Sequence, residues 1–185
     1  MKHKTLVNRA LSVIFAASSV IIAQAASKDD ITKVRESTAQ FQRTPAARAG
    51  GYDLLLGFDD CFQNYGVGGT GYHYINTELI DTTVDLLHPE ALVYAPDANG
   101  SLQFGAVEYM VPAAAWDAEQ PQPPRGLDQS FHLNERLGMY VLYAWIWKNN
   151  PSGMFEDWNP DVSCPEPHNR EGSMLWRQQL EIKNK

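Results

Sequence analysis

Leu102-Gln103-Phe104-Gly105-Ala106-Val107-Glu108-Tyr109-Met110-Val111 is the stretch on which the fold turns. It is rich in aromatic and β-branched residues and free of proline, and it reads as a long strand. Pro96-Asp97-Ala98-Asn99-Gly100 precedes it, and its Asn-Gly pair is a strong tight-turn signal. Ala91-Leu92-Val93-Tyr94 before the turn reads as a shorter strand, so residues 91–111 predict an antiparallel hairpin. Alternation along the longer strand puts Leu102, Phe104, Ala106, Glu108 and Met110 on one face and Val107, Tyr109 and Val111 on the other. Both faces are apolar, so Glu108 is predicted to be buried or to line a pocket. A buried carboxylate without a partner is driven toward its neutral form. Acids of that kind concentrate at functional sites, although a structural pair with an Arg or a Tyr hydroxyl also explains the burial.

Working outward, residues 137–147 form a third strand candidate. One face would carry Met139, Val141, Tyr143, Trp145 and Trp147, and the other Tyr140, Leu142, Ala144 and Ile146. A strand apolar on both faces is central and covered. On the other side of the hairpin, Tyr72-His73-Tyr74-Ile75 reads as a short strand after a flexible glycine run, 66–71. Residues 77–87 suggest a helical turn closed by Pro89. Further upstream, Asp29 or Asp30 caps a helix with Ile31, Val34, Thr38 and Phe41 at helical spacing. Thr44-Pro45 opens a second helix toward Leu56, weakened by Gly50-Gly51 and ended by Gly57. Residues 112–124 read as a loop, 149–164 as a turn-rich stretch, and the segment after Pro165 as a polar tail with Leu175, Trp176 and Leu180 as docking residues. Helices first and strands later predict an α+β domain, with N-terminal helices packed on a curved antiparallel sheet. On element order alone, an NTF2-like cone and a small barrel are the two candidates.

Residues 1–25 have the pattern of an export signal. Lys2, Lys4 and Arg9 precede an apolar run, and Ala23-Gln24-Ala25 supplies a small-x-small cleavage pattern. The run is shorter than the ~20 residues a spanning helix needs. Residues 26–185 are then one domain, exported to the periplasm or the medium, with no membrane span after cleavage. The whole chain has a formal charge of −7 at pH 7, and losing three basic residues with the signal makes it more acidic still. That balance argues against nucleic acid and anionic membranes as partners. Cys61 and Cys164 are the two cysteines, and in an oxidising compartment they predict a disulfide. The rival reading, two metal ligands, has no C-x-x-C pair behind it.

For chemistry, His73 between two tyrosines and His132 between Phe131 and Leu133 both sit in apolar settings. With Glu108 they would make a transition-metal set, although no His-x-His or His-Glu-x-x-His spacing supports it, and a satisfied core histidine is the plainer reading of either. The candidate ligand pocket lies between helices and sheet, with Tyr72, Tyr74, Tyr109, Trp145 and Trp147 as lining and His73 and Glu108 as polar contacts. Gly66-x-Gly68-x-x-Gly71 matches a dinucleotide pattern by letters only, lacking the strand before and the helix after. Asp157-x-Asn159-x-Asp161 resembles the opening of a calcium loop but has Val162 where glycine is needed, and reads better as an Asx-rich turn.

Two stretches, Gly69-Thr70-Gly71-Tyr72-His73-Tyr74-Ile75-Asn76 and Trp145-Ile146-Trp147-Lys148-Asn149-Asn150-Pro151-Ser152-Gly153-Met154-Phe155-Glu156-Asp157-Trp158-Asn159-Pro160, resemble a group of small exported bacterial proteins of unassigned function. Pro89-Glu90-Ala91-Leu92-Val93-Tyr94 and Val107-Glu108-Tyr109 extend the likeness over most of residues 45–164. The resemblance implies an envelope or secreted location and brings no activity. It sets Tyr143 where relatives often have His, and Thr70 where they often have Met. The sequence thus predicts an exported, non-catalytic binding protein for a small, partly apolar ligand. The alternatives are a hydrolase or isomerase using Glu108 and a His, metal-assisted or not, and a structural or partner-binding envelope protein with 149–164 as its contact surface. No cofactor and no protein partner is specified.

Overall fold

The computed structural model describes residues 19–165. The charged start of the expected signal and the tail with Leu175, Trp176 and Leu180 lie outside the described residues. The chain runs α1 (Ser19–Thr38), a 3-10 turn (Ala39–Phe41), α2 (Thr44–Ala49), β1 (Phe62–Asn64), β2 (Gly68–Ile75), a second 3-10 turn (Thr77–Leu79), β3 (Ala91–Pro96), β4 (Leu102–Pro112), α3 (Ala113–Asp117), β5 (Arg125–Gly126), β6 (Gln129–Ser130), β7 (His132–Asn134) and β8 (Met139–Ala144). Six strands form one antiparallel sheet in the order β1-β2-β3-β4-β8-β7, strongly curled into a half-barrel, and β5-β6 is a separate ribbon. The α+β expectation with a curved sheet holds.

The hairpin forms where its turn chemistry puts it. The Asp97 carboxylate accepts from the amides of Asn99 and Ser101 at 2.8 and 2.9 Å, closing the turn between β3 and β4. β4 then lies in the middle of the sheet, between β3 and β8.

The two faces of the sheet are covered differently. On the helix face, Val34, Phe41, Ala47 and Tyr52 pack against Tyr74, Leu92, Tyr94, Phe104, Val107, Tyr109 and Leu142. On the loop face, Val93, Ala106, Tyr143 and Trp145 meet Val162, while Ile75, Ala91, Met110 and Val141 meet Leu55, Phe58 and Leu137. The cover on this second face comes from segments 55–62 and 149–164. The Cys61–Cys164 disulfide, spanning 103 positions, ties those two segments together, which settles the cysteine reading in favour of the bond.

Gly105 overturns the strict alternation expected along β4. Val93 pairs with Ala106 but Tyr94 pairs with Phe104, so Gly105 is an extra residue, a β-bulge. Leu102 and Phe104 therefore lie on the helix face and not beside Glu108, and Phe104 stacks on Tyr94 at 5.2 Å. The Gly105 carbonyl accepts from the amides of Trp147 and Lys148, both at 3.0 Å. Those bonds take the chain out of β8 after Ala144, so residues 145–147 do not continue its alternation. Trp145 remains on the loop face, whereas Ile146 and Trp147 both pack on the helix face.

Other expectations need correction. α1 begins at Ser19, so Asp29 and Asp30 are not caps but lie inside the helix, 2.9 and 3.4 Å from Lys33 Nζ. α2 stops at Ala49 with Gly50 as its C-cap and does not reach Leu56. The run 66–71 is not a flexible loop: β2 begins at Gly68 and is buried there. A Cβ at Gly68, at φ +149°, would collide with the Asn159 carbonyl, so glycine lets the 159–164 segment lie directly on the sheet edge. Of residues 77–87 only Thr77–Leu79 is helical, the expected loop 112–124 opens with the short helix α3, and β1, β5, β6 and β7 are elements the sequence reading lacks.

Candidate functional site

Alternation in β2 sends Tyr72 and Tyr74 to the helix face and His73 to the loop face. Glu108 on β4 is the direct cross-strand partner of Tyr143 on β8. His73 Nε2 and the Tyr143 hydroxyl share a hydrogen bond of 2.7 Å, bridging the two strands that separate them. The sheet's curl brings β2 and β8 toward each other on this face. Glu108 Oε2 lies 3.5 Å from His73 Nε2. Both side chains are almost completely buried, at 6% and 4% exposure. The His73 ring is also held edge-on against Phe62, centroids 5.6 Å apart.

Burial controls the charge of all three groups. It pushes the Glu108 carboxyl up to about 8, helped by the negative charge of Asp157 and opposed by the Tyr143 hydroxyl. It pushes His73 down to about 4. It raises Tyr143 well above the usual phenol range, with Glu108 and Asp157 adding to the effect. At neutral pH the cluster is therefore an uncharged carboxylic acid, an uncharged imidazole and an uncharged phenol. Thr70 lies near enough to Tyr143 to moderate that hydroxyl, but the contact falls short of a hydrogen bond: Thr70 Oγ1 and His73 Nδ1 are both buried without a partner.

These residues line a cavity of about 140 Å³. Phe58, Phe62, Ile75, Met110 and Leu137 supply apolar wall, and Asn134, Arg136, Asp157 and Trp158 close it on the more exposed side. Asp157 is held by His132 Nε2 at 3.1 Å, and burial raises its carboxyl from the ordinary value. A wider depression of about 370 Å³ between α1 and residues 83–87 is lined by Asp30, Lys33 and loop residues, and none of its lining side chains is buried.

The expected site is thus partly assembled and partly dispersed. His73 and Glu108 come together. Tyr72, Tyr74, Tyr109 and Trp147 do not join them, because strand parity and the bulge place all four on the helix face. There the Tyr109 hydroxyl donates to the Leu86 carbonyl at 2.8 Å and Trp147 Nε1 to Thr38 Oγ1 at 3.2 Å. Trp145 packs beside Tyr143 and donates Nε1 to the Glu156 carbonyl, outside the cavity lining. The cavity accordingly sits on the loop face and not between helices and sheet. The metal set is not assembled either: His132 is half exposed and paired with Asp157, and among the described residues no group of three or more His, Cys, Asp or Glu is placed to hold an ion. In the calcium-like stretch, Asn159 is fully buried as a turn residue, its Oδ1 accepting from the Asp161 amide and its Nδ2 donating to the Asn149 carbonyl.

No family model matches the chain, and neither a curated protein nor a solved structure does.

Three residues of the site were not singled out as such: Tyr143, Thr70 and Asp157. For Tyr143 part of the signal is present, since an Arg or a Tyr hydroxyl is the expected structural partner of Glu108 and Tyr143 lies on a neighbouring strand. Thr70 and Asp157 sit in segments whose path follows from glycine contacts and turn bonds that no residue spacing encodes. Chemically, the arrangement offers an uncharged acid beside an uncharged base in an apolar recess. Among the described residues no helix is long and apolar enough to cross a membrane.

Proposed function

We propose that this chain is an exported, non-catalytic binding protein that holds a small, partly apolar molecule in the cavity over Thr70, His73, Glu108 and Tyr143. The observation that carries the reading is the pairing of an apolar-walled cavity with a buried, uncharged polar cluster at its base, two of whose atoms have no protein partner. Ligand sites are mostly apolar, with a few polar groups to fix orientation. The signal pattern of residues 1–25 and the Cys61–Cys164 bond support export to an oxidising compartment.

Size limits the ligand. At about 30 Å³ of liquid volume per water, the cavity takes a molecule of about five non-hydrogen atoms. Even the most efficient tiny ligands gain no more than about 1.5 kcal/mol per such atom, so affinity should be micromolar at best. A screen of small compounds by protein-observed NMR, on protein purified with its disulfide intact, tests this. Binding that shifts Glu108, His73 and Tyr143 resonances and weakens in His73→Ala supports the reading. Binders that perturb only the helix face, or none at all, count against it.

A second reading has one specific support. Burial moves Glu108 and His73 in opposite directions, the pattern by which a proton donor and a proton acceptor coexist at one pH. Turnover of a bound compound, with activity falling on both sides of neutrality, would replace binding by acid–base catalysis such as isomerisation or hydrolysis.

A further inference from the structure

Among the described residues, two buried side-chain polar atoms lack a hydrogen-bond partner, Thr70 Oγ1 and His73 Nδ1. Both residues line the same cavity. An unmade hydrogen bond in a buried setting is destabilising, and native chains keep few of them. Valine has the shape of threonine, and phenylalanine roughly that of histidine, so apolar residues would fill the same space without this penalty. Two residues carrying such atoms line one small recess, which makes its base a polar docking point once a ligand reaches them. The ring that carries Nδ1 is also held firmly, by Tyr143 at Nε2 and by Phe62 at its edge.

The surroundings decide the charge of what docks. A carboxylate would enter a recess where the Asp157 charge already acts on Glu108 and Tyr143. An ammonium group would have to shed its water beside an uncharged imidazole and an uncharged carboxyl. The apolar wall of Phe58, Ile75 and Met110 compensates neither, and the charged Arg136 and Asp157 stand on the more exposed side of the cavity, away from that wall. Thr70 can donate or accept, and His73 Nδ1 does either according to tautomer, so the docking point suits a group that itself does both.

We infer that the ligand is an uncharged small amide or alcohol, with its polar end on Thr70 Oγ1 and His73 Nδ1 and its apolar end against Phe58, Ile75 and Met110. This rests on the binding function proposed above and specifies its ligand class. The neutral state of Glu108 is part of the same design, since ionising it would put a negative charge into the recess.

The test titrates the disulfide-bonded protein with five probes of matched size: propionamide, 1-butanol, propionate, n-butylammonium and n-pentane, followed by NMR at neutral pH. Propionamide or 1-butanol should bind about tenfold or more tightly than the other three, the effect of one or two hydrogen bonds in a buried site. Thr70→Val should lose that preference while its thermal midpoint stays level or rises, and Thr70→Ser should keep it. Pentane binding as well as the amide, or Thr70→Val retaining the preference, overturns the inference and leaves the binding function standing. No probe binding at all, with ordered water on both atoms in a high-resolution structure, overturns both.

Discussion

The two faces of this sheet are built from the same strands, often from adjacent residues, yet they treat polar atoms in opposite ways. On the helix face four large aromatics with a polar handle are tied to the chain: Tyr52 to the Pro89 carbonyl, Tyr94 to the Phe41 carbonyl, Tyr109 to that of Leu86, and Trp147 to Thr38. On the loop face Tyr143 is tied only to groups that themselves titrate, and Thr70 and His73 keep one free atom each. Polar atoms that end on backbone carbonyls stabilise one packing. Polar atoms left in a cavity stabilise nothing until something arrives. The comparison separates structure from function more sharply than residue type does, since tyrosine serves both faces.

Breaking the disulfide should have the largest effect and should fall on the loop face. In the chain-entropy model, closing a loop of ~100 residues stabilises by up to ~4.7 kcal/mol. Cys61→Ser with Cys164→Ser, read by urea unfolding, should lose much of that. Hydrogen exchange should rise in segments 55–62 and 149–164 before it rises in the strands.

Next comes the pH dependence of Glu108. Its carboxyl is raised in the fold, from 4.5 to about 8, so the folded state holds a proton that the unfolded state has released. Stability from this group is complete below about 4.5 and falls as pH rises toward 8, by on the order of a few kcal/mol. His73, lowered to about 4, works in the other direction and is lost as pH falls from about 6.5 toward 4. Glu108→Gln should flatten the alkaline limb and leave the acid limb in place, as measured by thermal midpoints across pH. Glu90, buried and raised to about 7, adds a second alkaline component that this variant should leave untouched. An unchanged alkaline limb in Glu108→Gln would mean that the loop face is not the neutral cluster described.

Smaller effects sharpen the contrast. Tyr109→Phe leaves the Leu86 carbonyl without its donor and should destabilise by about 1 kcal/mol. Thr70→Val removes an atom that bonds to nothing and should be neutral or slightly stabilising. If the two variants behave alike in urea unfolding, the distinction between the faces fails.

The sequence was most legible where chemistry is local. The Asn99-Gly100 turn specified the hairpin, the apolar setting of Glu108 announced a buried acid, and two cysteines in a chain with an export pattern pointed to the bond that forms. It was least legible where one residue changes the parity of a strand. Uninterrupted alternation sets Phe104 on the face of Glu108 and Trp147 on the face of Tyr143, and both lie on the other side because Gly105 bulges and its carbonyl captures the Trp147 and Lys148 amides. The glycines at 68 and 69 likewise read as slack chain, although they are where a second segment lies on the sheet. Such contacts join residues some ninety positions apart in sequence, and no periodicity records them.

The bulge has one more consequence. Gly105 works as a parity bit for the sheet: everything before it in β4 is addressed to one face, and everything after it to the other phase. Pairing Gly105 into a regular ladder would leave composition and hydropathy intact, yet it would put Leu102 and Phe104 on the same side as Glu108. An aromatic ring would be delivered toward the recess and taken from the Tyr94 stack. The separation of cavity from core thus rests on leaving Gly105 unpaired, and not on any difference in composition.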